Sequence, residues 1–281
     1  MIEISLIVAT YGRDKELDDF LKSIAAQTYD LSKLEVIIVD QNDVIDLGPL
    51  VARYQPLYAI NHVRSAEKGL SVSKNRGIKE SRGAIVTFPD DDCSFYPDTV
   101  ANALLYFQQH PEADVLYGRV YDRNSGKNIM RNWLSYDKKL NLANFHLNYS
   151  AITCFSKKKE LLFDTRFGVG AFYGSGEELD YVITAIKKKY TVVYTHTIDV
   201  WHPPLEVLSM KDDKVYRYAK GYAAVLKKHA CTELVILLMS STAMQVLQLC
   251  KAVLSGNRAG MRKRRLGITG RVKGFFEFKR S

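Results

Sequence analysis

The sequence predicts an α/β protein built on a mostly parallel sheet with helices on both faces. Within residues 1–97, short β-rich runs alternate with segments of helical periodicity. These runs are apolar at nearly every position, as expected for strands that are covered on both faces. In such sheets ligands bind beyond the carboxyl ends of the strands, so the residues that follow each strand are the first candidates for a site.

Four strands and two helices are predicted in this first part of the chain. The strands are residues 4–9, 34–40, 57–63 and 84–88. One helix lies within residues 13–28, and a second, within residues 70–83, ends at Gly83. The first helix has an apolar face at helical spacing, formed by Leu17, Phe20, Leu21, Ile24 and Ala25.

The rest of the chain is less regular. Residues 113–122 are a predicted strand, and residues 148–163 are predicted as a strand that runs into a short helix. A glycine-rich loop leads into a helix within residues 167–190, and residues 191–204 are again β-rich. After Pro204 we expect helices to about Leu254.

Composition and charge exclude several classes of protein. The 47% hydrophobic and 25% charged residues are ordinary for a globular protein. The N-terminal residues show no signal-peptide pattern, and the four widely spaced cysteines favour reduced cytosolic thiols over a zinc site or disulfides. Residues 256–281 contain nine basic residues and one acidic residue, so they carry +8 of the formal net charge of +9. A nucleic-acid surface on the main body is therefore not expected.

Three adjacent carboxylates follow the predicted strand at residues 84–88. Each of Asp90, Asp91 and Asp92 would favour protonation of its neighbours unless a cation is bound nearby. A hard divalent cation suits such a cluster, and the alternative is a solvated acidic turn before the helix near Pro97. Two other strand ends are also polar, at residues 10–13 and 40–43, and this convergence favours a functional site.

Other candidate groups have structural alternatives of their own. Glu177, Glu178 and Asp180 begin a predicted helix, where the helix dipole alone would explain them, but an acid in a glycine-rich loop also suits a catalytic base. His202 is either structural or a metal ligand. Arg76, like Lys74, faces either solvent or a diphosphate.

Together these segments resemble glycosyltransferase family 2, the inverting enzymes with a GT-A fold. The similarity runs in order from residue 4 to residue 204 through five segments, "SLIVATYGR", "VIIVDQND", "GLSVSKNRGIKESRGAIVTFPDDDC", "FDTRFGVGAFYGSGEELDYVITAI" and "VWHPP". Three positions depart from the family pattern. Gly12 replaces the usual Asn, Asp43 lies near the usual Ser or Thr, and Glu178 stands where Asp is more common.

The resemblance implies a role for each matching residue. Glu178 would be the general base that takes the proton of the acceptor hydroxyl. The nucleotide-sugar ligands would be Thr10, Tyr11, Arg13, Asp40, Asn42, Arg76, Asp90 and Asp91. Mn²⁺ or Mg²⁺ would be held by Asp92, Asp90 and His202, with help from Asp91, and the acceptor side would include Glu177, Asp180 and Trp201.

The implied activity is a single displacement that inverts the anomeric carbon. The donor would be a nucleotide-diphosphate sugar, with UDP favoured, and the acceptor a hydroxyl of a saccharide or lipid-linked saccharide. The pathway would be bacterial surface polysaccharide synthesis, for O-antigen or capsule. Two alternatives remain: a nucleotide-sugar-binding protein without transferase activity, and a nucleotidyltransferase, which also uses strand-end aspartates and a metal.

The predicted domain organisation separates a catalytic domain from a C-terminal extension. Residues 1–204 form the GT-A domain, with a nucleotide-sugar half at 1–97 and an acceptor half at 98–204. Residues 205–281 form a helical, basic extension.

The apolar segment at residues 234–254 carries a polar stripe, which favours a helix in the membrane interface or packed on the domain over a spanning helix. The stripe consists of Ser241, Gln245, Gln248 and Lys251. With the basic tail it predicts a cytoplasmic protein held peripherally on the inner face of an anionic membrane. The alternative is a helix that completes the core, followed by a solvated tail.

Overall fold

The computed structural model describes residues 1–204 and 210–279. The chain divides into two compact units, one of residues 1–162 and 184–204 and one of residues 163–183 together with the part after residue 204. Segment 163–183, which the predicted domain kept with the sheet, thus packs with the C-terminal helices. Residues 205–209 of the predicted extension and 280–281 of the basic tail lie outside the described residues.

A ten-stranded sheet forms the first unit. Its strands are β1 Ile4–Thr10, β2 Leu34–Asp40, β3 Ala59–Arg64, β4 Ile85–Thr87, β5 Ser94–Phe95, β6 Val115–Asp122, β7 Lys127–Asn128, β8 Lys138–Lys139, β9 Cys154–Ser156 and β10 Val192–Trp201. The order along the sheet is β3-β2-β1-β4-β9-β6-β10-β5, with β7 paired to β6 and β8 to β10. The predicted strands are confirmed as β1 to β4, β6, β9 and β10.

The sheet is parallel where the nucleotide-sugar half was predicted. β3, β2, β1 and β4 run parallel, as do β6 and β10, while β9 is antiparallel to both β4 and β6. Every side chain of β2 is buried, which explains its largely apolar sequence; the exception within the strand, Glu35, pairs with Arg82 at 2.7 Å. The four neighbouring parallel strands therefore end at one edge of the sheet.

The described residues also contain eight α-helices. They are α1 Lys15–Ala25, α2 Gly48–Tyr54, α3 Leu70–Glu80, α4 Thr99–Gln109, α5 Glu177–Lys187, α6 Asp212–Lys228, α7 Thr232–Leu254 and α8 Arg258–Glu277. The apolar face predicted for the first helix is confirmed, since Leu17, Phe20, Leu21 and Ile24 are all buried. α1 to α4 belong to the sheet unit, and α6 to α8 belong to the second unit.

The short helix predicted after β9 is wrong. Residues 157–163 form turns that are held by bonds to other segments rather than to the next helical turn. Lys158 pairs with Asp114 at 3.1 Å, and the ammonium of Lys159 donates to the carbonyl of Ser81 at 2.6 Å. These contacts with residues distant in the sequence take the place of the hydrogen bonds that a short helix would form.

The predicted helical extension at 205–281 contains α8, but no separate helix was predicted after Leu254, where the residues were described as a basic tail. Four buried glycines, Gly260, Gly267, Gly270 and Gly274, lower the intrinsic helix propensity of this segment. Gly270 and Gly274 also permit close contact with α6, since a Cβ at Gly270 would lie 2.6 Å from the carbonyl oxygen of Tyr216. Helix packing outweighs propensity here, and sequence periodicity does not show it.

Gly77 of α3 tests the packing that supports the sheet edge. A Cβ at Gly77 would overlap Cγ2 of Ile7 on β1 and lie 3.3 Å from its Cβ. We expect Gly77→Ala to lower the free energy of unfolding by about 1–3 kcal/mol, measured by urea denaturation. Gly48→Ala in α2 is the matched control, because its Cβ would meet only the flexible side chain of Asp46. Equal stability of the two variants would contradict this account of the α3–β1 contact.

Candidate functional site

The carboxyl ends of β1, β2 and β3 bring polar residues side by side. In the strand register Thr10 lies opposite Asp40, and Asp40 lies opposite Arg64. A bridge between Ala9 and Asp90 places the three consecutive aspartates beside the end of β1. The predicted convergence of polar strand ends is thus present in the structure.

Asp40, the last residue of β2, is fully buried at this edge. One carboxylate oxygen accepts from the backbone and the side-chain amide of Asn42, both at 2.8 Å. The other lies 2.9 Å from Nε2 of His62 and 3.3 Å from the guanidinium of Arg64. Sequence reasoning missed both residues because nothing local in the sequence links them to Asp40. His62 belongs to the predicted third strand, and Arg64 directly follows it.

A hydrogen bond joins the first two strand ends. The amide of Gly12 donates to Oδ1 of Asn42 at 2.6 Å. Gly12 has φ of +73°, a left-handed conformation that glycine adopts freely and asparagine tolerates better than most residues. The departure from the family pattern at Gly12 therefore preserves the turn. Beside it the ring of Tyr11 is exposed, with the ammonium of Lys68 at 5.1 Å from the ring centroid.

Asp91 faces the end of β1. Its carboxylate accepts from the hydroxyl of Thr10 at 2.8 Å and from the guanidinium of Arg13 at 2.6 Å. Burial raises the pKa of Asp91 to about 6, against the opposing charge of Arg13. Thr10, Arg13 and Asp91, which were predicted to contact the nucleotide sugar, therefore form one bonded group.

Asp92 faces His202 as well as Arg13. The guanidinium of Arg13 lies 2.6 Å from one oxygen of Asp92, and Nε2 of His202 lies 3.4 Å from the other. Burial alone would raise the pKa of Asp92, but the hydrogen bond from His202 and the charges of His202 and Arg13 lower it below its ordinary value.

Asp90, Asp92 and His202 form a group that fits a divalent cation. One ligand atom from each lies within 4.8 Å of the others. Nδ1 of His202 is 2.7 Å from the carbonyl oxygen of Pro203, which can only accept, so Nδ1 carries the proton and Nε2 points towards Asp92. An imidazole oriented by an outer hydrogen bond is typical of metal ligands. Two carboxylates with one imidazole suit Mn²⁺, and the carboxylates suit Mg²⁺.

Three further residues singled out in the sequence are Arg76, Lys74 and Trp201. Arg76 is exposed on α3, where its guanidinium pairs with Glu80 at 3.0 Å. Lys74 is the buried cation of the same helix, with 1% of its surface exposed. Trp201 ends β10, opposite Ser94 of β5, and is half-buried.

The predicted acidic motif opens α5. Glu177 and Glu178 are its first two residues and are half-buried. Gly174 and Gly176, just before them, have φ of +72° and +97°, which other residues adopt only with strain. A Cβ at Gly176 would also lie 3.0 Å from Val225 of α6. The glycines thus shape the loop that presents both glutamates.

Asp180 lies in a buried network with the end of α6. Its two oxygens accept from the ammonium of Lys228 at 2.7 and 2.9 Å, and Nε2 of His229 is 2.7 Å from Oδ1. Lys228 also donates to Asp164 at 2.8 Å. Burial alone would raise the pKa of Asp164, but hydrogen bonds from Arg166 and Lys228 hold it well below its ordinary value.

This network fastens both ends of the loop to α6. Asp164 precedes the glycine-rich loop, Asp180 follows it, and Lys228 contacts both carboxylates. A cation at the end of α6 and an anion in the first turn of α5 also complement the two helix dipoles. Sequence reasoning identified Asp180 but missed Asp164, Lys228 and His229, which have no shared local pattern.

Replacing Asp180 by asparagine tests this network. Asp180→Asn keeps the shape but removes the charge opposite Lys228, so we expect the free energy of unfolding to fall by about 3 kcal/mol. The matched control is Asp213→Asn, whose partner Arg217 forms an exposed pair on α6, and its cost should stay below about 1 kcal/mol. Denaturant unfolding of both variants measures the difference, and equal costs would show that the buried network adds no stability.

Comparison with known families places most of the chain in one of them. Residues 5–174 match the model of a family described as glycosyl transferase family 2. A GalNAc(5)-diNAcBac-PP-undecaprenol β-1,3-glucosyltransferase of Campylobacter jejuni is 29% identical over 188 residues, 62% of this chain and 57% of that protein. The minor teichoic acid biosynthesis protein GgaB of Bacillus subtilis is 26% identical over 199 residues. That match covers 68% of this chain and 22% of GgaB, so the chain spans only part of its relatives.

Solved structures confirm the predicted GT-A fold. A mannosyltransferase from Pyrobaculum calidifontis, in complex with GDP-Man and Mn²⁺, matches 99% of this chain and 88% of its own, with a TM-score of 0.67 and 17% identity. Residues 1–349 of S. aureus TarS, in complex with UDP-GlcNAc, match 96% of this chain and 91% of their own, with a TM-score of 0.62 and 14% identity. At these identities the likeness concerns the fold.

Proposed function

The chain belongs to glycosyltransferase family 2, and we propose that it is a metal-dependent inverting transferase of surface polysaccharide synthesis. Its donor would be a nucleotide-diphosphate sugar, preferably a UDP-sugar, and its acceptor a hydroxyl of a saccharide or lipid-linked saccharide. The product would enter an O-antigen or a capsule. The observation that carries the proposal is the group of Asp90, Asp92 and His202 at the carboxyl edge of the sheet, beside the buried Asp40.

The nucleoside would bind along the first three strand ends. Asp40 presents a buried carboxylate whose partners His62 and Arg64 add donors at the same edge. The exposed ring of Tyr11 offers a stacking surface for a base. Asn42 and Thr10 fix the turns on either side, and phosphate binding by Arg76 stays a prediction.

The metal site would lie where the diphosphate leaves. Asp92 and Asp90, with His202, would hold Mn²⁺ or Mg²⁺, which would neutralise the negative charge that develops on the leaving group. Asp91 supports this site indirectly, since it is bonded to Thr10 and Arg13. Arg13 pairs with both Asp91 and Asp92 and so balances part of their charge.

Glu178 would act as the general base. It would remove the proton of the acceptor hydroxyl while that oxygen attacks the anomeric carbon from the face opposite the diphosphate. The bond to the diphosphate breaks in the same displacement, so the anomeric centre is inverted without a covalent enzyme intermediate. Glu177 would contact the acceptor, as would Trp201. Asp180 would position the loop, because its carboxylate is bonded to Lys228 and His229.

A lipid-linked acceptor would place the reaction at the cytoplasmic face of the cell membrane. The Campylobacter relative is named for an undecaprenol-linked acceptor, and GgaB for teichoic acid biosynthesis. Undecaprenol is a lipid, so a saccharide attached to it is held at a membrane. The name of the Campylobacter relative therefore supports a peripheral location for this chain, with the anionic membrane surface as a partner.

Removing Asp92 tests the metal requirement. We expect Asp92→Ala to abolish transfer and to weaken the Mn²⁺-dependent binding of UDP, measured by isothermal titration calorimetry, because a carboxylate of the metal site is lost. Asp19→Ala is the control, since Asp19 is an exposed aspartate of α1 in the same unit. Full activity of the parent protein in excess EDTA, or unchanged Mn²⁺-dependent binding in Asp92→Ala, would contradict the proposed site.

Replacing Glu178 by glutamine tests the base. Glu178→Gln keeps the shape and removes the basicity, so turnover should fall by about 10²- to 10⁴-fold while donor binding stays near normal. The matched control is Glu16→Gln, since Glu16 is also the second residue of its helix and is exposed. Nucleoside diphosphate release is the readout, and pyrophosphate release would identify a nucleotidyltransferase instead. Normal turnover of Glu178→Gln, with loss in Glu177→Gln, would move the base to Glu177.

A further inference from the structure

The outward face of α7 is largely apolar from its first turn to its last. By length and composition, α7 is long and apolar enough to cross a membrane. Only 6% of its most apolar 18-residue stretch is buried. Exposed side chains recur from the first turn to the last. They are Val235, Ile236, Met239, Met244, Val246, Leu247, Val253 and Leu254. Monomeric soluble proteins rarely expose a continuous apolar surface of this kind.

The polar residues of α7 are divided between its packed and its exposed side, and Glu233, Ser240 and Lys251 are exposed. Ser241, Thr242, Gln245 and Gln248 are all half-buried, while their apolar neighbours are exposed. Gln245 accepts from the guanidinium of Arg264 on α8 at 3.2 Å. The hydroxyl of Thr242 donates to the carbonyl of Leu238 at 2.7 Å. The sequence predicted a polar stripe, and the structure turns most of it inward, the reverse of a helix that faces water.

A helix that spans the bilayer does not fit this packing. α7 packs against α8. Arg264 and Arg271 of α8 are half-buried, and Arg264 donates to Gln245 of α7. If α7 spanned the bilayer, it would carry these two arginines towards the hydrocarbon. Charged side chains at that depth are costly. A helix that lies in the plane of the interface keeps α8 in the headgroup region and still buries the apolar face.

The positive charge of the same unit favours an anionic surface as the partner of this face. α8 begins four residues after α7 ends and carries exposed cations along its length. They are Arg258, Arg262, Arg265 and Lys273, followed by Lys279. Basic side chains next to an interfacial helix attract anionic headgroups.

We propose that the outward face of α7 inserts into the interfacial layer of an anionic lipid bilayer, with the cations of α8 on the headgroups. This deepens the proposed function, because a lipid-linked acceptor would lie in the same layer. Membrane binding itself does not require the transferase reaction. It can therefore be measured without donor or acceptor.

A fluorescent label on Cys250 reports the contact directly. Cys250 is exposed on α7, Cys93 and Cys154 are buried, and Cys231 can be replaced by serine. We expect the emission of an NBD label on Cys250 in the full chain to shift to the blue and brighten with phosphatidylglycerol vesicles. With phosphatidylcholine vesicles, or at high salt, binding should be at least about tenfold weaker.

Polar substitutions on the outward face provide the second measurement. The triple variant Ile236→Ser, Met239→Ser and Leu247→Ser should weaken vesicle binding by at least about tenfold, because three exposed apolar side chains lose their burial in lipid. The matched control carries Val44→Ser, Leu57→Ser and Leu105→Ser, three exposed apolar residues of the sheet unit, and should bind like the parent.

Three outcomes would overturn the proposal. The label could remain unchanged with anionic vesicles, or the two triple variants could bind vesicles equally. Alternatively, the emission could shift with protein concentration alone, together with a dimer in sedimentation that the α7 variant abolishes; the face would then bind a second copy of this chain. Donor turnover with a soluble acceptor, measured in parallel, shows whether the proposed function holds independently of membrane binding.

Discussion

The need to balance buried carboxylates at the carboxyl edge of the sheet constrains the rest of the structure. Parallel pairing brings the ends of β1 to β4 to one edge, so Asp40, Asp91 and Asp92 lie where desolvation opposes their charge. The negative charge of Asp40 is balanced by one set of partners, and that of Asp91 and Asp92 by another. Asp40 has an amide, an imidazole and a guanidinium around it, and Arg13 bridges the other two. The cations and donors at this edge, from β1, β2 and β3, thus offset the charge that the strand ends bring together.

In the second unit, buried carboxylates are balanced by the end of helix α6. Asp164 and Asp180 lie at the two ends of a loop whose glycines leave it with little intrinsic preference for one conformation. Lys228 binds both carboxylates, and His229 adds a further partner to Asp180. A buried pair of this kind adds little net stability over an apolar contact, yet breaking it is costly. Its value is therefore that the loop has one defined position.

The fold of the sheet was largely predictable from the sequence, and the site only in part. Continuous apolar strands and their polar ends are local signals, so β1 to β4 and the three aspartates were found. His62 and Arg64 were missed because their link to Asp40 exists only once β2 and β3 pair. α8 was not predicted as a separate helix within the helical extension because its buried glycines, two of which allow close contact with α6, carry a low helix propensity. The stripe of α7 was found, but periodicity alone does not tell which face is packed.

The second unit contains both the acidic start of α5 and the exposed apolar helix α7. The glutamates at the start of α5, the end of α6 that holds their loop, and the apolar face of α7 all belong to it. α6 packs on α8, and α8 packs on α7, so the loop and the lipid-facing helix are connected by continuous helix contacts. The residues proposed to bind the donor, by contrast, belong to the sheet unit. Under the proposed function, the base and the membrane-binding helix would therefore belong to one unit, and the donor site to the other.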